Sequence, residues 1–223
     1  MFCLCVAGGI FAMTVVFQIK IRTDALDSAE LASENAIDIL LAIRSRHAPG
    51  DRAMLASVVL DFLTSDDFPA VAELGAAIWH KHFIGMISRE QIDYMVSSRY
   101  TPQRLGRYLD APDRWFRLLR VDGRPVGYCS YALTGQPGEM KLEQLYLLEE
   151  MRGRGLGGRM MDEAEAAARA LGCATLMLTV NRHNAGAIAV YQKRGFAVRE
   201  EVVADIGNGF VMDDYMMEKL LSR

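Results

Sequence analysis

The sequence predicts a mixed α/β domain, α+β-like, with a central and mostly antiparallel sheet interrupted by one parallel β-α-β crossover. Three observations carry this. Three strand-like runs between Trp115 and Leu148 follow one another through tight turns, which makes them antiparallel neighbours. A strand, an alanine-rich helix and a second strand then occur in order from Met140 to Val180, the signature of a parallel crossover. Two further strand-like runs close the chain at Val198–Ile206 and Val211–Leu220.

The elements follow in chain order. Met1–Ile19 is free of charge and just long enough to cross a bilayer, but it lacks a basic leading region and a small-residue cleavage site. A buried strand, an over-extended start or a membrane anchor all fit it, with the anchor the least favoured. A helix is expected over Asp24–Arg46, where Ala29, Ala32, Ala36, Ile37, Leu40 and Ile43 keep helical spacing until His47–Asp51 breaks it. Residues 1–50 therefore read as an appendage of undisclosed role, and residues 51–223 as the principal domain. Ser57–Leu63 is a short β-branched run, and Asp66 and Asp67 stand where they can cap a helix over Phe68–Lys81. Ser88, with Gln91 three residues on, has capping-box spacing for a second helix to about Arg99. Pro102 opens a third, short one. Trp115–Val121 and Pro125–Ala132 form a hairpin around Asp122-Gly123-Arg124, and Thr134–Glu139 turns the chain into a strand over Met140–Leu148. Leu156, Met160, Ala164, Ala167 and Leu171 keep helical spacing, with Gly172 placed as the C-terminal cap. Ala174–Val180 reads as a buried strand and Ala185–Arg194 as a short helix ended by Gly195.

Composition narrows the function. With 223 residues, 51% hydrophobic and 24% charged, the chain is an ordinary globular one, and its net charge of −3 gives no general basis for binding nucleic acid. The four cysteines, Cys3, Cys5, Cys129 and Cys173, lack metal or redox spacing, so a reduced, cytoplasmic setting is the expectation.

The most informative stretch is Arg152–Arg159, RGRGLGGR, with four glycines and three arginines in eight residues at the start of a helix. A helix N-terminus presents amides without intrahelical partners and about half a positive charge, so it stabilises an anion. Glycines let several amides converge on phosphate oxygens, and Arg152, Arg154 and Arg159 add charge to the same mouth. A glycine-rich turn with solvated arginines is the plainer alternative. Among phosphate ligands, Gly153, Gly155 and Gly158 match the dinucleotide pattern G-x-G-x-x-G, and Arg182 beyond the next strand suits the 2′-phosphate of NADP. That pattern belongs after a parallel strand in a longer α/β fold, and here it follows three antiparallel ones. A Walker A loop is excluded because Arg159-Met160 stands where Lys and Ser/Thr are required.

Arg152, Gly155 and Gly157, after LEQLYLLEE at Leu142–Glu150, resemble the [Q/R]-x-x-G-x-[G/A] signature of the GNAT superfamily of N-acetyltransferases. VNRHNAGAIAVYQKRGF at Val180–Phe196 is similar to that family's second signature. The resemblance spans about Ser57–Leu220, is strongest from Glu139 to Phe196, and leaves out Met1–Gly50.

The resemblance implies a splayed pair of strands that holds coenzyme A, and acetyl-CoA as co-substrate. Its pyrophosphate would lie on amides of Arg152, Gly153, Arg154, Gly155, Leu156, Gly157 and Gly158. Its pantetheine would run beside Leu145, Tyr146 and Leu147, with Asn184 in contact. Tyr191 matches the family tyrosine that donates to the coenzyme sulfur, and stands seven residues, two helical turns, from Asn184. The amine attacks directly, so the site must position it, polarise the carbonyl, protonate the departing thiolate, the task that falls to Tyr191, and accept the amine's proton. Glu143, a carboxylate on the strand near the splay, is the candidate for that last task, with an exposed strand residue paired with Lys141 or solvent as an equal alternative. Cys129 has no evident base and receives no role. Trp79, His80 and His82 are expected at the acceptor side in helix-end or packing roles, because histidines at i and i+2 do not share a helix face for a metal. No metal is expected. Asp213 and Asp214 would lie near the pocket floor, where they attract a cationic amine, or else in a solvated turn. The expected acceptor is a small primary amine, such as a polyamine or an amino acid derivative, and a homodimer accords with family habit. A non-catalytic acyl-CoA binding module is the rival class, since it needs the loop but not Tyr191.

Overall fold

The computed structural model describes residues 57–221, which belong to the unit Leu55–Arg223. The apolar run Met1–Ile19 and the helix expected over Asp24–Arg46 lie outside the described residues. Among the described residues seven strands form one sheet in the order β1-β2-β3-β4-β5-β7-β6. They are β1 (Val58–Phe62), β2 (Arg114–Val121), β3 (Arg124–Leu133), β4 (Glu139–Leu147), β5 (Thr175–Asn181), β6 (Ala197–Gly207) and β7 (Phe210–Leu220). Every pairing is antiparallel except β4 with β5, as the strand-helix-strand order requires.

The helices are α1 (Phe68–His82), α2 (Arg89–Arg99), α3 (Pro102–Leu105), α4 (Leu156–Ala170) and α5 (Ala185–Lys193). Strand residues alternate between two apolar clusters. Phe116, Leu118 and Tyr128 pack with Val71, Trp79 and Ile92 of α1 and α2, while Leu119, Cys129 and Leu178 pack with Met160, Met161, Ala164 and Ala168 of α4. The hairpin between β2 and β3 turns at Asp122 (φ 50°) and Gly123 (φ 79°), both left-handed, which suits a tight hairpin to the sheet twist. None of the described helices is long and apolar enough to cross a membrane.

Two helix starts differ from expectation. Asp67 precedes α1 in a helical conformation and caps nothing there. It closes a 3₁₀ turn with Thr64, whose backbone N–H and hydroxyl it accepts at 3.0 and 2.8 Å, and it also accepts from Arg120. Ser88 does cap α2, accepting from the Gln91 amide at 3.1 Å. The Gln91 side chain, however, donates to the Val211 carbonyl at 2.8 Å instead of reaching back. Together with Tyr94, whose hydroxyl donates to the Ile206 carbonyl at 2.8 Å, it fastens α2 to the β6–β7 hairpin.

Candidate active site at the splay of two parallel strands

β4 and β5 pair from Glu139 opposite Thr175 to Leu142 opposite Leu178, and no further. Both strands continue, β4 held by β3 through Leu147 and β5 by β7 through Asn181, so a wedge opens between them. A bulge in β4 starts it. Tyr131 opposes Leu142 while Ser130 opposes Gln144, which leaves Glu143 as an extra residue in the strand. A bulge bends and twists its strand, and here it does so at the point where pairing with β5 ends. The chain edge at Leu145, Tyr146 and Leu147 therefore faces the wedge with no strand beside it among the described residues.

The glycine-arginine segment lies at the mouth. Gly153 and Gly155 have φ of 76°, and Gly155, the residue that starts α4, has no side chain to cap it. The amides of Leu156, Gly157 and Gly158 have no partner among the described residues, so the first turn of a 15-residue helix offers free donors and its positive dipole end. A methyl group added at Gly153, Gly155 or Gly157 would meet nothing within 4 Å, so open space for a diphosphate lies in front of these amides. Arg154 and Arg159 are exposed. The Leu156 side chain is buried in the α4 cluster, and only its amide is available to a ligand.

Arg152 contacts His82, Nη2 to Nδ1 at 3.2 Å, and the other ring nitrogen, Nε2, lies 3.1 Å from Nδ2 of Asn184. His82 thus spans the mouth from the phosphate loop to the start of α5. Burial and the Arg152 charge hold its pKa below the ordinary value, so the ring is neutral at pH 7. A guanidinium only donates, and Asn184 presents its amide nitrogen because its Oδ1 caps α5 by accepting from Ala187 at 3.2 Å. The two donors face opposite ring nitrogens, and a neutral ring has one acceptor nitrogen, so only one of the two contacts is a hydrogen bond in either tautomer. Beside them a cavity of about 180 Å³ is lined by Ile78, Lys81, His82, Leu147 and Arg152, among others.

Further in, Tyr191 of α5 is half-buried against Phe196, ring centres 5.9 Å apart. Its hydroxyl has no partner among the described residues, and burial pushes its pKa up to about 12, so it stays a donor at any physiological pH. Across the wedge, Tyr146 stands against Trp79, Phe83 and Tyr128, with ring centres 5.7, 6.3 and 5.4 Å away. Glu143 accepts from the Tyr108 hydroxyl at 2.9 Å, and the neighbouring Gln144 amide donates to Ser130 at 3.1 Å.

The remaining candidates separate. Trp79 is buried in the α1–α2 cluster, its indole donating to Tyr100 at 2.9 Å, and His80 faces Asp93 at 3.3 Å. Arg182 is bound to Asp213 at 3.2 Å and to Glu201 at 3.1 Å, so it is not held for a nucleotide 2′-phosphate, and the antiparallel sheet rules out the dinucleotide fold. Cys129 is fully buried and its thiol is pushed up to about 12, which removes it as a nucleophile. Asp213 and Asp214, adjacent in sequence, have different surroundings, since Asp214 shares no ion pair with Arg182. The sequence singled out the loop, Asn184 and Tyr191 by pattern. It missed Tyr108, and it gave His82 no place at the mouth. Both are joined to the site only by tertiary contacts across 35 and 70 residues of chain.

Residues 76–196 match the family described as acetyltransferase (GNAT) family. The IAA acetyltransferase of Azospirillum brasilense is 30% identical over 115 residues, 49% of this chain and 74% of that protein. The spermidine N(1)-acetyltransferase of Thermoplasma acidophilum is 24% identical over 161 residues, 70% of this chain and 96% of that protein. Among solved structures, the PaiA N-acetyltransferase from Thermoplasma acidophilum in complex with coenzyme A superposes with a TM-score of 0.63 at 23% identity, covering 74% of this chain and 99% of that one. A family match over more than half of the chain bears out the resemblance read from the two signatures: the chain belongs to the GNAT acetyltransferase family and is an N-acetyltransferase.

Proposed function

We propose that the protein transfers the acetyl group of acetyl-CoA to a small primary amine by direct attack within a ternary complex. The single observation that carries this reading is the wedge between β4 and β5, with uncapped amides at its mouth and the unpartnered Tyr191 hydroxyl beside it. The amides from Gly153 to Gly158, with Arg154 and Arg159, hold the pyrophosphate, whereas the Arg152 amide expected to join them donates to the Glu149 carbonyl at 3.0 Å. Pantetheine lies along Leu145, Tyr146 and Leu147 as an added strand would, and Asn184 closes on it from α5. The name of one relative, the spermidine N(1)-acetyltransferase, supports a small amine as acceptor.

In the reaction the N–C bond forms, the C–S bond breaks, and Glu143 takes the proton released by the amine nitrogen, directly or through water. Tyr191 donates a hydrogen bond to the sulfur as charge gathers there. With its pKa raised to about 12 by burial, Tyr191 is protonated when the thiolate forms, and it supplies the proton that the sulfur takes up, solvent restoring its own. Positioning supplies much of the remaining rate.

Calorimetric titration of the full chain with acetyl-CoA, against NADPH and dephospho-CoA, tests the loop. Micromolar binding of acetyl-CoA alone is expected, with thiol release when a primary amine is added. Binding of NADPH instead, or of neither, sinks the reading.

A further inference from the structure

Asp214 lies on β7 opposite Asn181, at the end of the β5 wall of the wedge. Residues alternate along β7, and Met212, two positions before it, packs against the α1–α2 cluster, as Tyr146 does. Asp214 and Tyr146 therefore share the face of the sheet from which an acceptor reaches the splay. Burial is the chief cause that raises the Tyr146 pKa, and the charge of Asp214 is among the further ones.

The Asp214 carboxylate is not satisfied by the protein. Its Oδ1 is fully buried and has no hydrogen-bond partner. Burial disfavours its charge and Asp213 beside it adds to that, while Lys141 of β4 and Arg99 at the end of α2 act the other way from a distance. None of these cations touches it in an ion pair among the described residues. A buried carboxylate oxygen left without a partner is costly to a fold, and a fold that keeps one beside the wedge is expected to use it.

We propose that Asp214 receives a positive charge carried by the acceptor, and that the acceptor is an amine with a second cationic nitrogen besides the one acetylated. The inference rests on the acetyl-transfer reading above. The attacking nitrogen must be neutral to use its lone pair, so a charge that Asp214 holds through the reaction belongs to another nitrogen. Acceptors whose second group is a carboxylate are repelled at the same place.

The test compares 1,4-diaminobutane with 1-aminobutane as acceptors for the full-length protein and its Asp214→Asn and Asp214→Glu variants, following thiol release from acetyl-CoA. Wild type is expected to favour the diamine in kcat/KM, and Asp214→Asn to lower that value by roughly tenfold or more, chiefly through the KM for the diamine. The monoamine and the KM for acetyl-CoA should stay within about threefold, a split that a misfolded variant does not give. Asp214→Glu should retain part of the preference. Because the lost oxygen had no partner, the melting temperature of Asp214→Asn should equal or exceed that of wild type. Equal loss with both amines, an unchanged preference, or a wild type without preference overturns the inference and leaves the acetyl-transfer reading standing. Absence of thiol release with every amine overturns that reading and this one with it.

Discussion

Tyr191 is half-buried, and its hydroxyl has no partner among the described residues. The ring does the packing, against Phe196, so a phenylalanine fills the same space. Tyr191→Phe should therefore leave the melting temperature and acetyl-CoA binding nearly unchanged while turnover falls roughly 100-fold, the scale of a lost donor at developing charge. Single-turnover thiol release beside a calorimetric titration separates the two effects. An unchanged rate takes the tyrosine out of the chemistry and favours a module that binds acyl-CoA without using it. Glu143 differs in kind, because Tyr108 already donates to it and fixes its orientation in the bulge. The Tyr108 hydroxyl is held protonated by its burial and by that carboxylate, so it steadies the proton acceptor without competing for the proton.

At the scale of elements, the mouth divides its glycines between two jobs. Gly155 has φ of 76°, where a Cβ costs roughly 1–2 kcal/mol whatever the space around it. Gly155→Ala should lower stability by about that amount and weaken acetyl-CoA binding as the loop relaxes. Gly157 lies within α4 at an ordinary helical φ, with open space beyond the position of a Cβ. Gly157→Ala should raise stability by up to about 1 kcal/mol, since alanine is the better helix former, and still weaken acetyl-CoA binding tenfold or more by filling the phosphate's place. Thermal melts with and without acetyl-CoA decide it, and equal affinity in Gly157→Ala would mean that the phosphate lies elsewhere. Those glycines were legible in the sequence because a phosphate loop is local: its donors are successive amides. The strands were legible for the same reason, through alternation and turn residues such as Asp122-Gly123. The bulge at Glu143 was not, since it exists only in the register of β4 against β3. Gln91 shows the limit most clearly. Its spacing from Ser88 is that of a capping box, but the carbonyl that takes its side chain lies 120 residues away.

Across the whole molecule, the sheet keeps ionisable side chains un-ionised on both of its faces. Tyr100 on the α1–α2 side and Tyr131 and Cys129 on the α4 side are each pushed up to about 12, and Tyr128 is also raised, in every case chiefly by burial. Only the neutral forms are compatible with the packed core. Below pH 10, the ordinary tyrosine value, the tyrosines are protonated whether the chain is folded or not, and their contribution to stability is intact. Between pH 10 and about 12 the unfolded chain gives up these protons while the folded chain holds them, so the unfolded state binds fewer protons and stability falls as pH rises. Each buried tyrosine adds roughly 1.4 kcal/mol per pH unit across that window. The sum of several is comparable to the whole stability of a domain. Unfolding should therefore set in cooperatively above pH 10, with tyrosinate absorbance rising in step with the loss of ellipticity. Tyrosinate appearing near pH 10 in a chain that remains folded would mean that water reaches these hydroxyls, and that the aromatic wall behind Tyr146 is looser than the wedge requires.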